Sequence, residues 1–352
     1  MEKQDILPEN HDRWKMLALR TAFVLVFFSS FLLGRYSVSL GSLCRILWAK
    51  LVHAFSFGTV TLPQCWTAAE EAVVINVRLP RILCAGLVGA ALSAAGVSYQ
   101  GMFRNPMVSP DLLGASTGAG FGAAMAILLS FGYWGITLTA FSFGLLAVLL
   151  AYLVSRFSRV ESTLSLVLAG VMVSSLFSSC TSFVKLIADT EDQLPAITYW
   201  LMGSLSSIRR EDLAFVFWPI LLGLIPLLLL RWRMNLLTVS EEEARSFGVN
   251  TKRLRLVIIL CATLITSASV AVSGMIGWVG LVIPHFCRML FGYDYRRLVP
   301  ASILMGSTFL MVVDNIARIL TTSEIPLGIL TSFVGAPVFL YLILTGGTKR
   351  ER

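Results

Sequence analysis

Residues 78–122 read RLPRILCAGLVGAALSAAGVSYQGMFRNPMVSPDLLGASTGAGFG. Two apolar runs rich in Gly, Ala and Ser are separated by Arg104, Asn105 and Pro106, and Arg78 and Arg81 stand at the front. Glycine at this density disfavours a helix in water. It suits a solvent in which helices associate through close backbone approach across small residues, and that solvent is lipid.

The rest of the chain agrees. Of 352 residues, 56% are hydrophobic and 14% charged, with a mean hydropathy of +0.79, against about 25% charged residues in soluble proteins. A helix crossing a bilayer needs about 20 mostly apolar residues, because only internally hydrogen-bonded backbone is tolerated there. Such runs predict an all-α polytopic membrane protein with about ten transmembrane helices. They fall near Met16 to Leu33, Ile82 to Met102, Leu112 to Leu129, Tyr133 to Val154, Leu164 to Leu186, Leu213 to Leu230, Leu256 to Val272, Trp278 to Leu290, Ala301 to Ile319 and Leu327 to Leu344. The third and eighth are short and broken by glycine. We read one permease domain over 1–352, with segments 1–15 and 233–253 on the cytoplasmic side and 35–77 outside.

Charge sets the orientation. With ten spans and a cytoplasmic N-terminus, 19 of the 28 Lys and Arg residues fall inside, so the positive-inside bias places both termini in the cytoplasm. The net charge of +8 then needs no nucleic acid to explain it. The opening MEKQDILPEN is too acidic for a signal peptide, which predicts an uncleaved first span. Cys84, Cys180, Cys261 and Cys287 lie inside predicted spans without C-x-x-C spacing and read as small packing residues. Cys44 and Cys65 share the outer segment, where an oxidising compartment permits a disulfide between them.

Gly114, Gly118 and Gly122 form a small ridge at i, i+4 and i+8, for which helix packing is the simplest account. Ionisable residues in a span are costly and usually face protein or water. Asp314 and Arg318 stand four apart on one helix face, a spacing that fits a structural ion pair or a functional one. His285 and Arg288 lie toward the inner end of the eighth span, and no second His stands nearby to make a metal site.

Enzymatic readings find no support. There is no G-x-x-x-x-G-K-[ST] phosphate loop and no H-E-x-x-H pair, so this chain does not hydrolyse ATP by itself, and no cofactor or metal is expected. A secondary transporter or proton pump calls for ionisable residues near mid-membrane, and the spans hold almost none. One inner segment, RWRMNLLTVSEEEARSFGVNTKRLR, breaks the apolar pattern. Ser240 reads as an N-cap followed by Glu241, Glu242 and Glu243 at the positive end of a short helix, with Ala244 inside it and Gly248 ending it. Leu236, Leu237, Val239, Ala244 and Phe247 give it an apolar side suited to a soluble partner.

Taken together, Arg78-Leu79-Pro80-Arg81, Gly89-Ala90-Ala91-Leu92, Gly96, Gln100, Arg104-Asn105-Pro106 and Pro110-Asp111-Leu112-Leu113-Gly114 resemble the permease subunits of ABC importers for iron-siderophore, haem and cobalamin. The resemblance continues through Trp200 to Leu205, Glu241 to Ala244 with Gly248, Gly280 to His285, Asp314 with Arg318, Glu324 to Gly328 and Gly335 to Val338. It covers nearly everything after residue 75. Two departures are Val239-Ser240 in place of Leu-Gly, and a spacing from Arg318 to Glu324 one residue short.

The resemblance implies a homodimer, or a pair with a paralogous permease, in the cytoplasmic membrane of a bacterium or archaeon. It also implies two cytoplasmic ATPase subunits and an extracytoplasmic substrate-binding protein. Arg78, Arg81 and Arg318 match the arginines that face the binding protein. Asn105, Pro106 and Met107 match the inner turn that forms the cytoplasmic gate, and Ser240 to Gly248 match the helix that couples to the ATPase. The implied cargo is an iron-siderophore or related iron chelate, with cobalamin or haem as alternatives. An ATPase-independent secondary transporter or channel, or a membrane scaffold, is the remote alternative.

Overall fold

Why the central helix of this protein is built from alanine and glycine is apparent once its neighbours are seen. The computed structural model describes residues 9–56, 63–158, 162–239, 241–321 and 323–346, and all regular structure among them is helical. The order begins α1 (Glu9–Leu32), α2 (Leu40–Phe55), α3 (Ala68–Ala72), a π-helical turn (Val73–Arg78), α4 (Leu79–Met102), a 3-10 turn (Pro110–Leu113), α5 (Ala115–Leu128), α6 (Tyr133–Phe157) and α7 (Ser162–Ile187). It continues with α8 (Gln193–Leu201), α9 (Arg210–Met234), a 3-10 turn (Asn235–Leu237), α10 (Glu241–Ser246), α11 (Thr251–Ser273), α12 (Val279–Phe291), α13 (Tyr295–Ile319) and α14 (Leu327–Gly346).

Seven of these helical runs are long and apolar enough to cross a membrane, and three shorter apolar helices, Ala115–Leu128, Val279–Phe291 and Leu327–Tyr341, stand at the third, eighth and tenth predicted spans. The chain is a multi-pass, all-helical membrane protein. Its exposed faces confirm the solvent. Leu164, Leu168, Val171, Met172 and Leu176 on α7, and Trp218, Leu222 and Leu229 on α9, are all exposed. Water would not tolerate contiguous apolar surface of this extent.

Helix α4 is the axis of the packing. It lies against α9, α11, α12 and α13, and nearly every residue from Ala90 to Met102 is buried. Small residues make this crowding possible. A Cβ added to Gly96 would stand 1.8 Å from the Gly280 carbonyl oxygen, and one on Gly89 would stand 2.2 Å from that of Gly306. At these two crossings backbone touches backbone, which only glycine allows.

Three findings differ from the expectation. The third span begins later than predicted, because Pro110–Leu113 forms a 3-10 turn and Gly114 follows in the left-handed region at φ 88°. Gly114 is therefore a hinge before α5, whereas Gly118 and Gly122 pack on α6, where an added Cβ would meet the Phe143 and Thr139 carbonyls at 2.5 and 2.6 Å. The segment 35–77 contains α2, whose Leu43, Ile46 and Ala49 face inward at helical spacing while Leu40, Trp48, Leu51 and Phe55 are exposed. Glu71 fastens α2 to α3 through an ion pair with Lys50 and a hydrogen bond from Trp66 Nε1 at 2.8 Å. Finally, Cys44 and Cys65 are both exposed and unbridged. Cys44 lies on the side of α2 turned away from its buried face, so the expected disulfide is not formed.

Candidate functional site

Functional side chains gather at the two ends of α4. At its first turn, Pro80 has no N–H to donate and is tolerated there, while the preceding turn widens to the π form. This brings Arg78 and Arg81 onto neighbouring helices. Arg78 donates to the carbonyls of Phe31 and Tyr36, closing the end of α1. Arg81 donates from Nε to Asp314 Oδ1 at 2.9 Å, pairs through Nη2 with the same carboxylate at 2.8 Å, and reaches Glu324 through Nη1 at 2.9 Å.

Arg318 lies 3.2 Å from Asp314 Oδ2, one helical turn away, as a charge contact without a well-aligned hydrogen bond. Its Nη2 donates to Asn315 Oδ1, and Asn315 in turn donates to Ser30 Oγ at 2.8 Å. The result is one clamp joining α1, α4, α13 and the segment before α14. A charge removed from solvent must find a partner, and here the chain supplies its own. Arg78, Arg81 and Arg318 are only 3%, 5% and 6% exposed. The expected row of outward-facing positive charge is therefore absent from this structure. The three guanidinium groups are committed inside the chain, beneath the surface at that end.

The other end of α4 carries the turn Arg104 to Met107, all four residues exposed. Arg104 adopts φ 51°, the Asn105 N–H returns to the Gln100 carbonyl at 3.1 Å, and Asn105 Oδ1 accepts from the Met107 N–H at 2.9 Å. Pro106 then prevents α4 from continuing. Arg104 does more than interrupt an apolar run. It donates from Nε to the Leu237 carbonyl at 2.7 Å and from Nη2 to that of Val239, strapping the turn to the chain that leads into α10.

Helix α10 covers Glu241–Ser246. Ser240 lies outside the described residues, as do the side chains of Glu241 and Glu242. Glu243 is exposed. Gly248 follows at φ 75° with open space around it, and the Val249 N–H closes on the Ala244 carbonyl at 3.2 Å, as a left-handed C-terminal glycine does. The apolar side is divided. Leu237 and Ala244 are buried within this chain, whereas Phe247 is 66% exposed.

A second strap was not visible in the sequence. Asn235 Nδ2 donates to Asp294 Oδ1 at 2.7 Å, and Asn235 Oδ1 accepts from the Tyr295 N–H at 2.9 Å. This fixes the end of α9 to the start of α13. Gln100, part of the family resemblance but given no role there, donates from its amide to the Val108 carbonyl at 3.1 Å while its oxygen accepts from Arg288. Polar residues within a turn of a helix end were the available signal.

An internally paired charge clamp at one end, a short strapped helix at the other and an apolar multi-helix body between them describe a polytopic membrane protein. The chain belongs to the FecCD transport family, whose model matches residues 22–345. It is thus an ABC importer permease. It is 42% identical over 318 residues to the molybdate import system permease protein of Haemophilus influenzae, covering 90% of this chain and 91% of that one. It is 35% identical over 325 residues to the hemin transport system permease protein of Yersinia pestis, covering 89% and 97%. A solved structure of a metal-chelate type ABC transporter in an inward-facing conformation superposes with a TM-score of 0.83 at 39% identity, covering 95% of this chain and 99% of that one.

Proposed function

We propose that this chain is the membrane-spanning subunit of an ATP-driven importer that brings an iron chelate across the cytoplasmic membrane. It works as a homodimer or beside a paralogous permease, with ten crossings, seven by the long helices and three by the short ones, and both termini in the cytoplasm. Two ATPase subunits grip the Glu241 to Gly248 end, and hydrolysis belongs to them. An extracytoplasmic binding protein docks over the opposite end, where Arg78, Arg81 and Arg318 shape the docking surface from beneath.

The observation that carries this reading is the Arg104 strap. It joins the turn of Asn105, Pro106 and Met107, the proposed inner gate, to the chain entering α10, the proposed coupling helix. A displacement of α10 by closing ATPases would then reach the gate through a rigid side chain, and the Asn235–Asp294 strap would carry it to α13. Small movements at such junctions become discrete rearrangements because packed interfaces are bistable.

The experiment is uptake by cells or proteoliposomes holding the complete transporter, with radiolabelled ferric chelate, haem, cobalamin and molybdate compared in parallel. Vanadate-sensitive accumulation of the iron chelate supports the proposal. Molybdate is the second reading, favoured by the identity to the Haemophilus permease over nine-tenths of the chain. Concentrative uptake by this chain without an ATPase would overturn both.

A further inference from the structure

A cavity of about 370 Å³ opens beside the gate turn, between the end of α4, the 3-10 turn after α9, and α12. Its lining includes Arg288, Arg104, His285, Tyr293, Tyr295 and Thr238. Arg288 is its most unusual member. The residue is 91% buried, that is, 9% exposed, and its Nη2 is held by Gln100 Oε1. Its Nη1 is enclosed and has no well-aligned hydrogen-bond partner among the described residues, and its other polar neighbour is the Tyr295 hydroxyl.

Charge makes the arrangement more demanding. No carboxylate stands in the described lining. Asp294, the acidic residue between the two tyrosines, accepts instead from Asn235 Nδ2 at 2.7 Å and from the Arg296 N–H at 3.0 Å. The Gln100 oxygen takes Nη2 and not Nη1, and its nitrogen is a donor, engaged with the Val108 carbonyl. A buried guanidinium without a counter-charge is among the most unfavourable arrangements in a folded chain. The cavity has the space of about a dozen waters at their liquid share of ~30 Å³ each. It offers two guanidinium groups, two phenols, a hydroxyl and an imidazole.

We infer that this cavity binds a tetrahedral oxyanion of the phosphate type, with the Arg288 guanidinium as its central cation. The planar donor array of arginine matches such anions better than it matches a halide. Tyr295, 5% exposed, closes the inner wall, while Tyr293, 80% exposed, stands at the mouth. Because Asn105 and Pro106 also border the cavity, an ion held there lies against the gate turn and α12 together. The lining, not the identity of the translocated cargo, carries the inference.

The same phosphate chemistry is available from a free ion or from a lipid headgroup, and the test separates them. The full chain in detergent is titrated with inorganic phosphate against chloride at constant ionic strength, with binding read by calorimetry and by the melting midpoint. Arg288→Gln removes the central cation. Thr238→Glu, at an exposed position, places a carboxylate at the cavity without disturbing the core, so the test survives if the first variant fails to fold. Saturable phosphate binding that weakens on the order of tenfold or more in either folded variant supports a free-ion site. Binding that emerges only after delipidation, is competed by dihexanoyl phosphatidic acid and shows the same dependence supports occupation by a lipid phosphate. Phosphate and phosphatidic acid no better than chloride, or variants that bind like the parent, would overturn the inference.

Discussion

Replacing Arg81 with Met tests whether the clamp at the first turn of α4 is a buried electrostatic unit or a set of incidental contacts. Arg81 is 5% exposed and Asp314 is 1% exposed, so neither charge has water to return to when its partner is removed. Breaking a buried pair from one side costs about 3–5 kcal/mol, because the remaining charge is stranded. Asp314 keeps Arg318 at 3.2 Å, which places Arg81→Met near the lower end, about 3 kcal/mol. The internal control is Lys50→Met. Lys50 also pairs with a carboxylate, Glu71, but the two side chains are 45% and 23% exposed, and such pairs contribute about 1 kcal/mol or less. Graded unfolding in mixed micelles, followed by tryptophan fluorescence, measures both. The double variant Arg81→Met with Asp314→Leu completes a cycle, and contacting charges should show a coupling of about 1–3 kcal/mol. Equal losses from Arg81→Met and Lys50→Met, or strict additivity in the cycle, would refute the assignment.

Four further outcomes are expected. Gly96→Leu should abolish folded protein in the membrane fraction, since its Cβ would meet the Gly280 carbonyl oxygen at 1.8 Å, whereas Gly132→Ala, with nothing within 4 Å, should express as the parent does. Arg104→Gln in the assembled transporter should lower uptake about tenfold or more while ATP hydrolysis persists; a parallel fall in both would point to misassembly instead of uncoupling. Phe247→Asp should reduce copurification of the ATPase severalfold, because an exposed aromatic on the proposed coupling segment is a natural anchor, and unchanged recovery would remove it from the interface. Without reductant, Cys44 and Cys65 should both react with a membrane-impermeant maleimide applied from outside; protection of both would restore the disulfide.

How much was legible in the sequence depends on how local the cause was. The long spans were readable because each carries its signal within about 20 residues, and Gly248 was readable as a helix end because the constraint is a single backbone angle. Helix α2 was overlooked. Its buried set, Leu43, Ile46 and Ala49, is short, and its other face, with Trp48, Leu51 and Phe55, is apolar too, so the contrast that marks an amphipathic helix is weak. The clamp was half legible. Asp314 and Arg318 are four apart and could be paired on spacing, but Arg81 reaches Asp314 across 233 positions, which no local pattern records. The expectation that the arginines face outward came from the family resemblance.

The two ends of α4 pose a mechanical question that the packing answers. A helix of 24 residues spans about 36 Å at 1.5 Å per residue, and this one carries Arg81 at one end and borders Arg104 at the other. It meets α12 at Gly96 and α13 at Gly89 through direct backbone contact, so bending it would require opening contacts that have no flexible side chain to absorb the change. Interiors packed in this way transmit displacement instead of damping it. The straightforward motion is therefore of α4 as a body, with the clamp and the proposed gate turn moving together. If a binding protein presses on the clamp end and ATPases act on the strapped end, each perturbs the same rigid element. Linkage then makes the effect reciprocal: docking must alter nucleotide affinity by the factor by which nucleotide alters docking.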